Sequence, residues 1–584
     1  MTFSGLPVSE PADAAKFAKF QTLIDKYNHD KWAQMERFDP EFYRLCQERI
    51  PSAAELDSEP IDARLFVTKP GLLSDSEREI VNELTIDDLL RRQLSRELTA
   101  EQIARAYIKS AIVAQFATNC VMQFLIPSAL KRAKELDEYL RVHGVLMGPM
   151  HGVPISLKEQ MGYEGQPTTA SYVSLIENVV KRSTVSNQIF YKMGAVYHAR
   201  TSQPQTIMQL DTWNNITGRT RNPCCTRLSP GGSSGGESAM VAMHGSALGI
   251  GSDIGGSVRC PAAFTNLFGL KPTTKRLSSM NGVSGGKGQE SIPSTEGPIA
   301  RSIEELEHYM NVYVNQGKPW TYDPNSLPIP WDTAASAGPR PRIGVLFSDN
   351  LVTPYPAIKR AMTQIAKRLE SSFDIVDLSD AWFTEQEMLS IYRTNISLYT
   401  ADGNRSQLEL LLPSGEPLLP LTEHFLNFGG GKELSIYENR KLNVLRDAAR
   451  LAIFEKFFSR EAPASLQLDF ILSPANVAPA EIPGQSKYWG YTSLWNLTDY
   501  PNVVFPTTYK QDPQQDILIS ANSLKENEFE KMVWYKQDGT TIRYNPTAYT
   551  AAPVALQLTG MRFQDEKIVS AVKKISHILG ITRR

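Results

Sequence analysis

Two glycine-serine clusters hold the residues of this chain that are best placed to do chemistry: residues 231–237 (GGSSGGE) and residues 251–257 (GSDIGGS). Glycines at this density let backbone N–H groups approach a ligand closely and permit unusual backbone dihedral angles. Ordinary loops use the same residue types, so composition by itself favours plain turns. An apolar run of small residues, 239–248, joins the clusters and predicts a buried helix, and this arrangement favours a functional site.

The first cluster matches the G-x-S-x-G pattern of a nucleophile elbow, but the residues before it do not fit that motif. An elbow requires a strand immediately before its serine. Residues 224–230 (CCTRLSP) are polar and contain a proline. No context marks a general base among the histidines His151, His198, His244, His424 and His577. A histidine-dependent serine hydrolase is therefore weakly supported, and so is a phosphate-binding loop, because the GxxxxGK[ST] pattern does not occur.

The second cluster combines a nucleophile with groups that could stabilise an anion. Ser257 is expected at the N-terminus of a helix, and the N–H groups of residues 254–257 can point at one position. A serine hydroxyl is inert without a base. The candidate base is Lys158, with Ser233 of the first cluster as an intermediate hydroxyl.

Lys158 ends a short apolar strand that we predict over residues 153–157. Burying an ammonium group is costly, so such a lysine either extends its amine to solvent or has a function inside the protein. A buried lysine has a lowered pKa and can act as a neutral base near pH 7. The segment alone leaves both readings open.

Three segments, in this order, resemble the amidase signature family: HGVPISLKE (151–159), GGSSGGESA (231–239) and GSDIGGSVRCPAAF (251–264). Further segments, among them GRTRNP (218–223) and YWGY (488–491), resemble the fungal acetamidase branch of that family. The sequence departs from the family pattern at Ser252, where threonine is usual, and at Glu159, where aspartate is usual.

The resemblance implies a Ser–Ser–Lys triad formed by Lys158, Ser233 and Ser257. Neutral Lys158 would accept a proton from Ser233, and Ser233 would accept one from Ser257. Ser257 would then attack an amide carbonyl to form an acyl-enzyme. The family also implies a cis peptide bond between Gly232 and Ser233, and neither a metal ion nor a cofactor is expected.

The same resemblance assigns the remaining site residues. The oxyanion is expected to be bound by four backbone N–H groups, those of Ile254, Gly255, Gly256 and Ser257. Ser234 and Ser252 are expected to hydrogen-bond to the triad. Ile207 and Met208 are expected to line the pocket for the acyl group, although plain core packing explains them equally well.

The leading functional expectation is an amidase that hydrolyses the C–N bond of small, acetamide-like carboxylic amides to a carboxylate and ammonia, in the service of nitrogen use. Two other enzyme readings are compatible with the triad: a fatty acid amide hydrolase, which would need a longer apolar channel, and a glutamine-dependent amidotransferase A-type subunit. A non-enzymatic scaffold is disfavoured because the triad is intact.

The elements around these motifs indicate an α/β fold. A strand, a helix and a strand are predicted over residues 343–347, 356–369 and 373–378, and this order favours parallel pairing. Capping boxes at Thr85 and Thr99 predict two helix starts. The resemblance implies one large domain whose central mixed, twisted β-sheet is covered by helices on both faces.

The chain divides into two predicted parts. Residues 1–84 are expected to form an N-terminal helical extension that packs on the core, and residues 85–584 to form the amidase domain. Within that domain the signature core spans about 148–273, and a Pro-rich surface excursion spans about 315–341.

Composition indicates which classes of binding partner and which cellular compartment to expect. The 584 residues carry 61 basic and 63 acidic side chains, a net charge of −2, so nucleic acid is not an indicated partner. Five scattered cysteines without a CxxC pair, and no visible secretory signal, favour a reducing compartment, the cytoplasm. No apolar run reaches the length of an integral membrane segment. The expected partner is a small-molecule amide, and the family resemblance suggests a homodimer.

Overall fold

The computed structural model describes residues 12–518 and 520–581. Within them the strands are β1 (Val121–Phe124), β2 (Pro154–Lys158), β3 (Val196–Thr201), β4 (Trp213–Asn214), β5 (Gly218–Arg219), β6 (Gly249–Asp253), β7 (Phe268–Lys271), β8 (Thr295–Ala300), β9 (Arg342–Val345), β10 (Asp374–Asp377), β11 (Phe470–Pro474), β12 (Asn502–Lys510) and β13 (Pro553–Gly560).

The α-helices of the same residues are α1 (Ala14–Phe38), α2 (Pro40–Arg49), α3 (Ala53–Ser58), α4 (Leu65–Thr68), α5 (Asp75–Arg78), α6 (Ile86–Leu94), α7 (Ala100–Thr118), α8 (Ile126–His143), α9 (Val185–Lys192), α10 (Gly235–Ala242), α11 (Arg259–Phe264), α12 (Ile303–Asn311), α13 (Pro356–Leu369), α14 (Glu385–Tyr399), α15 (Arg405–Leu411), α16 (Pro420–Leu426), α17 (Ile436–Ile453), α18 (Gly490–Leu497), α19 (Glu528–Trp534) and α20 (Asp565–Leu579). No helix in the described residues is long and apolar enough to cross a bilayer.

Eleven of the strands form one mixed sheet, in the order β1-β3-β2-β6-β8-β7-β12-β13-β11-β9-β10, and β4 pairs with β5 in a separate antiparallel ribbon. β2 is parallel to both of its neighbours, β3 and β6. The predicted strand-helix-strand unit is β9-α13-β10, and its two strands pair in parallel as expected. The strand that ends on Lys158 therefore lies inside the sheet and not at an edge.

Different helices cover the two faces of the sheet. Along β12, Val503 and Phe505 belong to the apolar cluster that includes residues of α7, α12, α13 and α20, whereas Val504 belongs to the cluster that includes residues of α14 and α18. Successive strand residues point to opposite faces. The predicted α/β architecture, a mixed sheet between two helical layers, is confirmed.

The helix predicted over residues 239–248 is wrong in its bounds. α10 begins at Gly235, inside the first glycine-serine cluster, and ends at Ala242. His244 then adopts a positive φ of 53°, and the N–H of Gly245 returns to the carbonyl of Met240. A Cβ on Gly245 would lie 3.0 Å from the backbone of Ala111 in α7, so the chain turns away before β6. The run is apolar because it is buried, and it is only partly helical.

Of the helices before residue 84, α1 packs on the edge of the sheet, whereas α2, α4 and α5 pack on α7. Asn28 of α1 donates a hydrogen bond to the carbonyl of Ile216 at 2.7 Å, and the buried amine of Lys31 donates to the carbonyl of Val121 in β1 at 3.1 Å. The capping boxes predicted at Thr85 and Thr99 are present at the starts of α6 and α7. Residues 1–11 of the predicted extension lie outside the described residues.

The predicted Pro-rich excursion contains no strand and no α-helix among its described residues. It is not entirely a surface segment, because Trp331 is buried and its ring lies 5.2 Å from the guanidinium of Arg276.

Candidate active site

Lys158 lies at the end of β2 with its side chain fully buried. Its Nζ donates hydrogen bonds to Oγ of Ser233 at 2.6 Å and to Oγ of Ser252 at 3.0 Å. The alternative in which the amine reaches solvent is therefore excluded by the structure. Burial lowers the pKa of Lys158 well below its ordinary 10.5, although the nearby carboxylates of Asp253 and Glu237 oppose the shift.

The first glycine-serine cluster presents Ser233 to this amine through tight backbone packing. The peptide bond between Gly232 and Ser233 is cis, as the family resemblance implies. A Cβ on Gly232 would overlap the backbone of Asp211, so no other residue fits at this position. The two clusters meet directly, because the N–H of Ser234 donates to the carbonyl of Ser257 at 3.0 Å.

Ser257 precedes α11 and is almost fully buried, with 5% of its surface exposed. The structure brings it to the same cavity as Ser233. No hydrogen bond joins the two hydroxyls in the described part of the chain, so only the first link of the predicted relay is formed here. The backbones that carry the two hydroxyls are nevertheless held together, by the hydrogen bond from Ser234 to Ser257.

The expected oxyanion donors need a correction at Gly256. Its N–H donates to the carboxylate of Asp253 at 2.9 Å, so this group is already engaged. The N–H groups of Ile254, Gly255 and Ser257 have no acceptor within the residues that the structure describes. The carbonyls of Ile254 and Gly255 are held by the hydroxyls of Tyr399 (2.6 Å) and Thr492 (2.7 Å), respectively, and these contacts orient the turn.

Asp253 and Arg259 anchor the turn that carries Ser257, and the sequence reasoning did not single them out. The guanidinium of Arg259 donates to both carboxylate oxygens of Asp253 at 3.0 Å, and Asn496 donates to the same carboxylate at 2.8 Å. Burial acts to raise the pKa of Asp253, but the charge and hydrogen bonds of Arg259, the hydrogen bond from Asn496 and the charge of Lys271 together outweigh it and lower the pKa. A signal was present, because both residues lie within the motif GSDIGGSVR.

Ser252 and Ser234 do not play the same part. Ser252 accepts from Lys158 and donates to the side chain of Gln160 at 3.2 Å, so it contacts the triad directly. Ser234 instead exchanges 3.4 Å hydrogen bonds with the backbone of Ser252, joining the two clusters. Gln160, two residues after the lysine, is a site residue that sequence reasoning missed.

A cavity of about 470 Å³ opens at the two serines. Ile207, Met208 and Ile254 contribute to its lining, as does the polar, glycine-rich loop of residues 279–294. Ile207 has a φ of +66°, a conformation that is a genuine outlier for a β-branched residue and that clusters at functional sites. None of the five histidines considered as general bases is among the residues lining this cavity, all of which are described.

Within residues 12–518 and 520–581, no group of three or more His, Cys, Asp or Glu side chains is arranged to hold a metal ion. Glu159, one of the two departures from the family pattern, accepts from the N–H groups of Thr169 (2.5 Å) and Ala170 (2.9 Å). It thereby fixes a loop and does not contact the triad hydroxyls.

A buried lysine joined to a serine hydroxyl, between two glycine-rich turns on a mixed sheet, defines the serine hydrolases of the amidase signature class. The chain belongs to this family, because the Amidase family model matches residues 102–569. It is similar to the acetamidase of Emericella nidulans, with 34% identity over 524 residues (88% of this chain, 92% of that protein). It is also similar to the acetamidase of Aspergillus oryzae, with 32% identity over 544 residues (91% and 97%).

Among solved structures, a fatty acid amide hydrolase superposes with a TM-score of 0.88 at 37% identity and covers 99% of both chains. Family membership and these relatives identify the chain as a hydrolase that acts on amides.

Proposed function

We propose that this protein hydrolyses carboxylic amides through an acyl-enzyme on Ser257, with Ser233 and Lys158 as the proton relay. The observation that carries the proposal is the 2.6 Å hydrogen bond from the fully buried amine of Lys158 to Ser233. Holding this amine out of water lowers its pKa, which favours the neutral, basic form that the relay requires.

In the proposed reaction, Lys158 takes the proton of Ser233 as Ser233 takes that of Ser257, and Ser257 attacks the amide carbon. The N–H groups of Ile254, Gly255 and Ser257 stabilise the oxyanion, since all three are free to donate. The relay then returns a proton to the leaving nitrogen, which would otherwise depart as an unstable anion. Water hydrolyses the acyl-enzyme by the same relay in reverse.

Small carboxylic amides are the proposed substrate class, by similarity to proteins named acetamidases that align along most of the chain. The cavity supports a range beyond acetamide, because a volume of about 470 Å³ is of the size that holds drug-sized ligands. Ammonia released in this way would serve nitrogen use. The five free, buried cysteines fit the reducing compartment, the cytoplasm, proposed from the sequence.

A fatty acid amide hydrolase is the second candidate, favoured by the whole-chain similarity to a structure of that name. The lining of the cavity does not favour this candidate, since the cavity is lined by polar residues such as Lys287, Gln289 and Glu290 as well as by apolar ones. A glutamine-dependent amidotransferase subunit is the weaker alternative, because the matched relatives carry amidase names.

An ammonia-release panel from acetamide through benzamide to a long-chain amide tests the proposal. We expect the highest kcat/KM on short and aromatic amides and none with Ser257→Ala. A preference for the long-chain amide would instead establish the second candidate. Failure of every amide, together with no labelling of Ser257 by a fluorophosphonate, would contradict the proposed chemistry.

We also propose that the protein forms a homodimer through α17. Ala449 and Ile453 are the buried residues of this helix, whereas Tyr437 and Val444 are 66% and 68% exposed and Leu451 is 52% exposed. Contiguous apolar surface of this kind marks an interaction site in a folded protein.

The charges along the exposed face favour a second copy as the partner. Exposed Arg440 and Lys441 lie towards the start of α17, whereas Asp447 lies near its end and Glu455 in the helical turn that follows it, so these four exposed charges cancel and do not favour an anionic bilayer. In an antiparallel pair with its two-fold axis at Ala448, Lys441 faces Glu455 of the partner subunit, because both are equally distant from the axis.

A further inference from the structure

Glu237 is a buried carboxylate close enough to Lys158 to influence its pKa, although the proposed reaction gives it no part. It is the third residue of α10, and its side chain is fully buried. Its Oε1 accepts from the hydroxyl of Ser156 at 2.7 Å and from the N–H of Ile250 at 2.9 Å, and its Oε2 accepts from the hydroxyl of Thr201 at 2.5 Å. Three donors hold the carboxylate in a defined position.

The three donors belong to three neighbouring strands that carry or support the relay. Ser156 is two residues before Lys158 in β2, and residues two apart in a strand share a face. Ile250 is likewise two residues before Ser252 in β6, and Thr201 of β3 pairs with Lys158. One carboxylate therefore joins β3, β2 and β6 directly beneath the groups that hold the amine.

The backbone of β6 at Gly249 leaves room for the side chain of Glu237. A Cβ on Gly249 would lie 2.8 Å from Cγ of Glu237, so a larger residue there would displace the carboxylate. α10 begins immediately after Ser233 and Ser234, so the helix that presents the relay hydroxyl also presents the carboxylate. The position of Glu237 is thus coupled to both ends of the Lys158–Ser233 hydrogen bond.

The titratable groups that interact with Glu237 are Lys158 of β2, Cys120 beside β1 and Tyr309 of α12, and Asp253 of β6 acts on the same lysine. Burial raises the pKa of Glu237 to about 7, and the charge of Lys158 opposes that rise. Glu237 and Asp253 in turn favour the charged form of Lys158. Asp253 is also ion-paired with Arg259.

We propose that Glu237 is a positioning residue of the relay. Its carboxylate fixes the positions of β3, β2 and β6 relative to one another, and its charge controls how readily Lys158 becomes neutral. The inference rests on the proposed function, because a neutral Lys158 matters only if that amine is the base. It goes beyond the triad by assigning a role to a residue that touches neither nucleophile nor substrate.

The test is Glu237→Gln, which keeps the size of the side chain and an oxygen for Ser156 and Ile250. Because the pKa of Glu237 is raised to about 7, its anion favours the charged form of Lys158 only above about pH 7, and Glu237→Gln removes that effect. We therefore expect fluorophosphonate labelling of Ser257 to be faster in the variant than in the wild type above about pH 7, and the two pH profiles to converge below it. A fall of half a unit in the pKa of Lys158 would make labelling about threefold faster where the amine is mostly protonated.

The matched control is Glu159→Gln, which removes another buried carboxylate that neighbours Lys158 in the chain but is not among the groups that influence its pKa. Its labelling should match that of the wild type above about pH 7 as well as below it. If Glu237→Gln slows labelling by one constant factor at every pH, its charge has no part in the relay and the electrostatic part of the proposal is overturned; if it labels like the wild type at every pH, both parts are overturned.

A second readout does not depend on hydrolysis. Burial raises the pKa of Glu237 from an ordinary 4.5 to about 7, so the folded protein favours the neutral form of this side chain. The contribution of Glu237 to the free energy of unfolding of the wild type therefore falls as the pH rises from about 4.5 to about 7. The melting temperature of Glu237→Gln minus that of the wild type should therefore grow from about pH 5 to about pH 8. A constant difference would overturn the electrostatic part of the proposal. A wild type that resists labelling while this difference still grows would contradict the proposed function and leave the burial of the carboxylate established.

Discussion

At the scale of single residues, this site depends on an amine that the fold keeps out of water. Lys158 has two hydroxyl partners, Ser233 and Ser252, and no exposed surface. Its lowered pKa means that the base is present well below the pH at which an ordinary lysine loses its proton. Activity should therefore fall only as the pH drops through that lowered value, since protonation then removes the base.

Replacing Lys158 separates charge from basicity. Lys158→Arg keeps a cation that cannot be deprotonated, and Lys158→Met removes the nitrogen while keeping most of the stem. Both should lower kcat/KM by at least about a thousandfold, because general-base catalysis is lost in each. Ser252→Ala is the control, since it removes one partner and leaves Ser233 in contact, and we expect a loss of only about tenfold. A Lys158→Arg enzyme with wild-type activity would refute the relay.

At the scale of elements, one packing contact determines where α10 ends, and another determines the free energy of docking α1. α10 stops at Ala242 because the next residues turn against α7, so apolarity alone predicted too long a helix. α1 docks on the edge strand β1 through the buried Lys31, whose pKa burial lowers to about 7. Docking this helix therefore costs free energy at any pH at which a solvent-exposed lysine would be charged.

Lys31→Met should stabilise the protein near neutral pH. The pKa of Lys31 is lowered from 10.5 to about 7 in the folded protein, so its wild-type stability falls as the pH drops from about 10 towards 7. We expect the variant to gain about 1–4 kcal/mol in free energy of unfolding at pH 7 and little at pH 10, measured by denaturant titration. The exposed Lys19→Met on the same helix should change neither value. A gain that is equal at both pH values would show that packing, and not charge, is responsible.

At the scale of the whole molecule, the active-site cavity and the exposed face of α17, which we propose as the dimer surface, lie near each other. The triad sits where β2 and β6 end between two helical layers, and the cavity above it is walled in part by residues 279–294. Asn439, Asn443 and Arg446 of α17 line a neighbouring cavity. Contact between two copies along α17 would therefore lie close to the approach to the active site.

A charge exchange tests the proposed dimer and its antiparallel register. Lys441→Glu or Glu455→Lys alone would place like charges opposite each other, and we expect each to shift the protein towards monomer in sedimentation or light scattering. The double variant restores opposite charges and should restore the dimer. A wild type that is monomeric at all concentrations and instead binds lipid vesicles would contradict this proposal and assign the face to a membrane surface.

Much of the site was predictable from sequence because its chemistry demands particular residue types in a particular order. A lysine at the end of an apolar strand and two glycine-serine clusters identify Lys158, Ser233 and Ser257 as candidates. The strand-helix-strand pattern at β9, α13 and β10 was equally readable, since hydrophobic periodicity is a local property. Arg259 was missed although it lies within a motif, and Gln160 was missed because it lies just after one, where a polar side chain has no pattern that separates a site residue from a surface residue.

The sequence by itself determined which side chains could act and which sheet-forming segments would surround them. Only the tertiary structure decided that the amine of Lys158 is buried, that the N–H of Gly256 is engaged by Asp253, and that α17 leaves an apolar face exposed. These properties depend on contacts between segments far apart in the chain, such as the one between Ile254 and Tyr399. Burial and hydrogen-bond direction are set by such contacts, and local residue patterns carry no information about them.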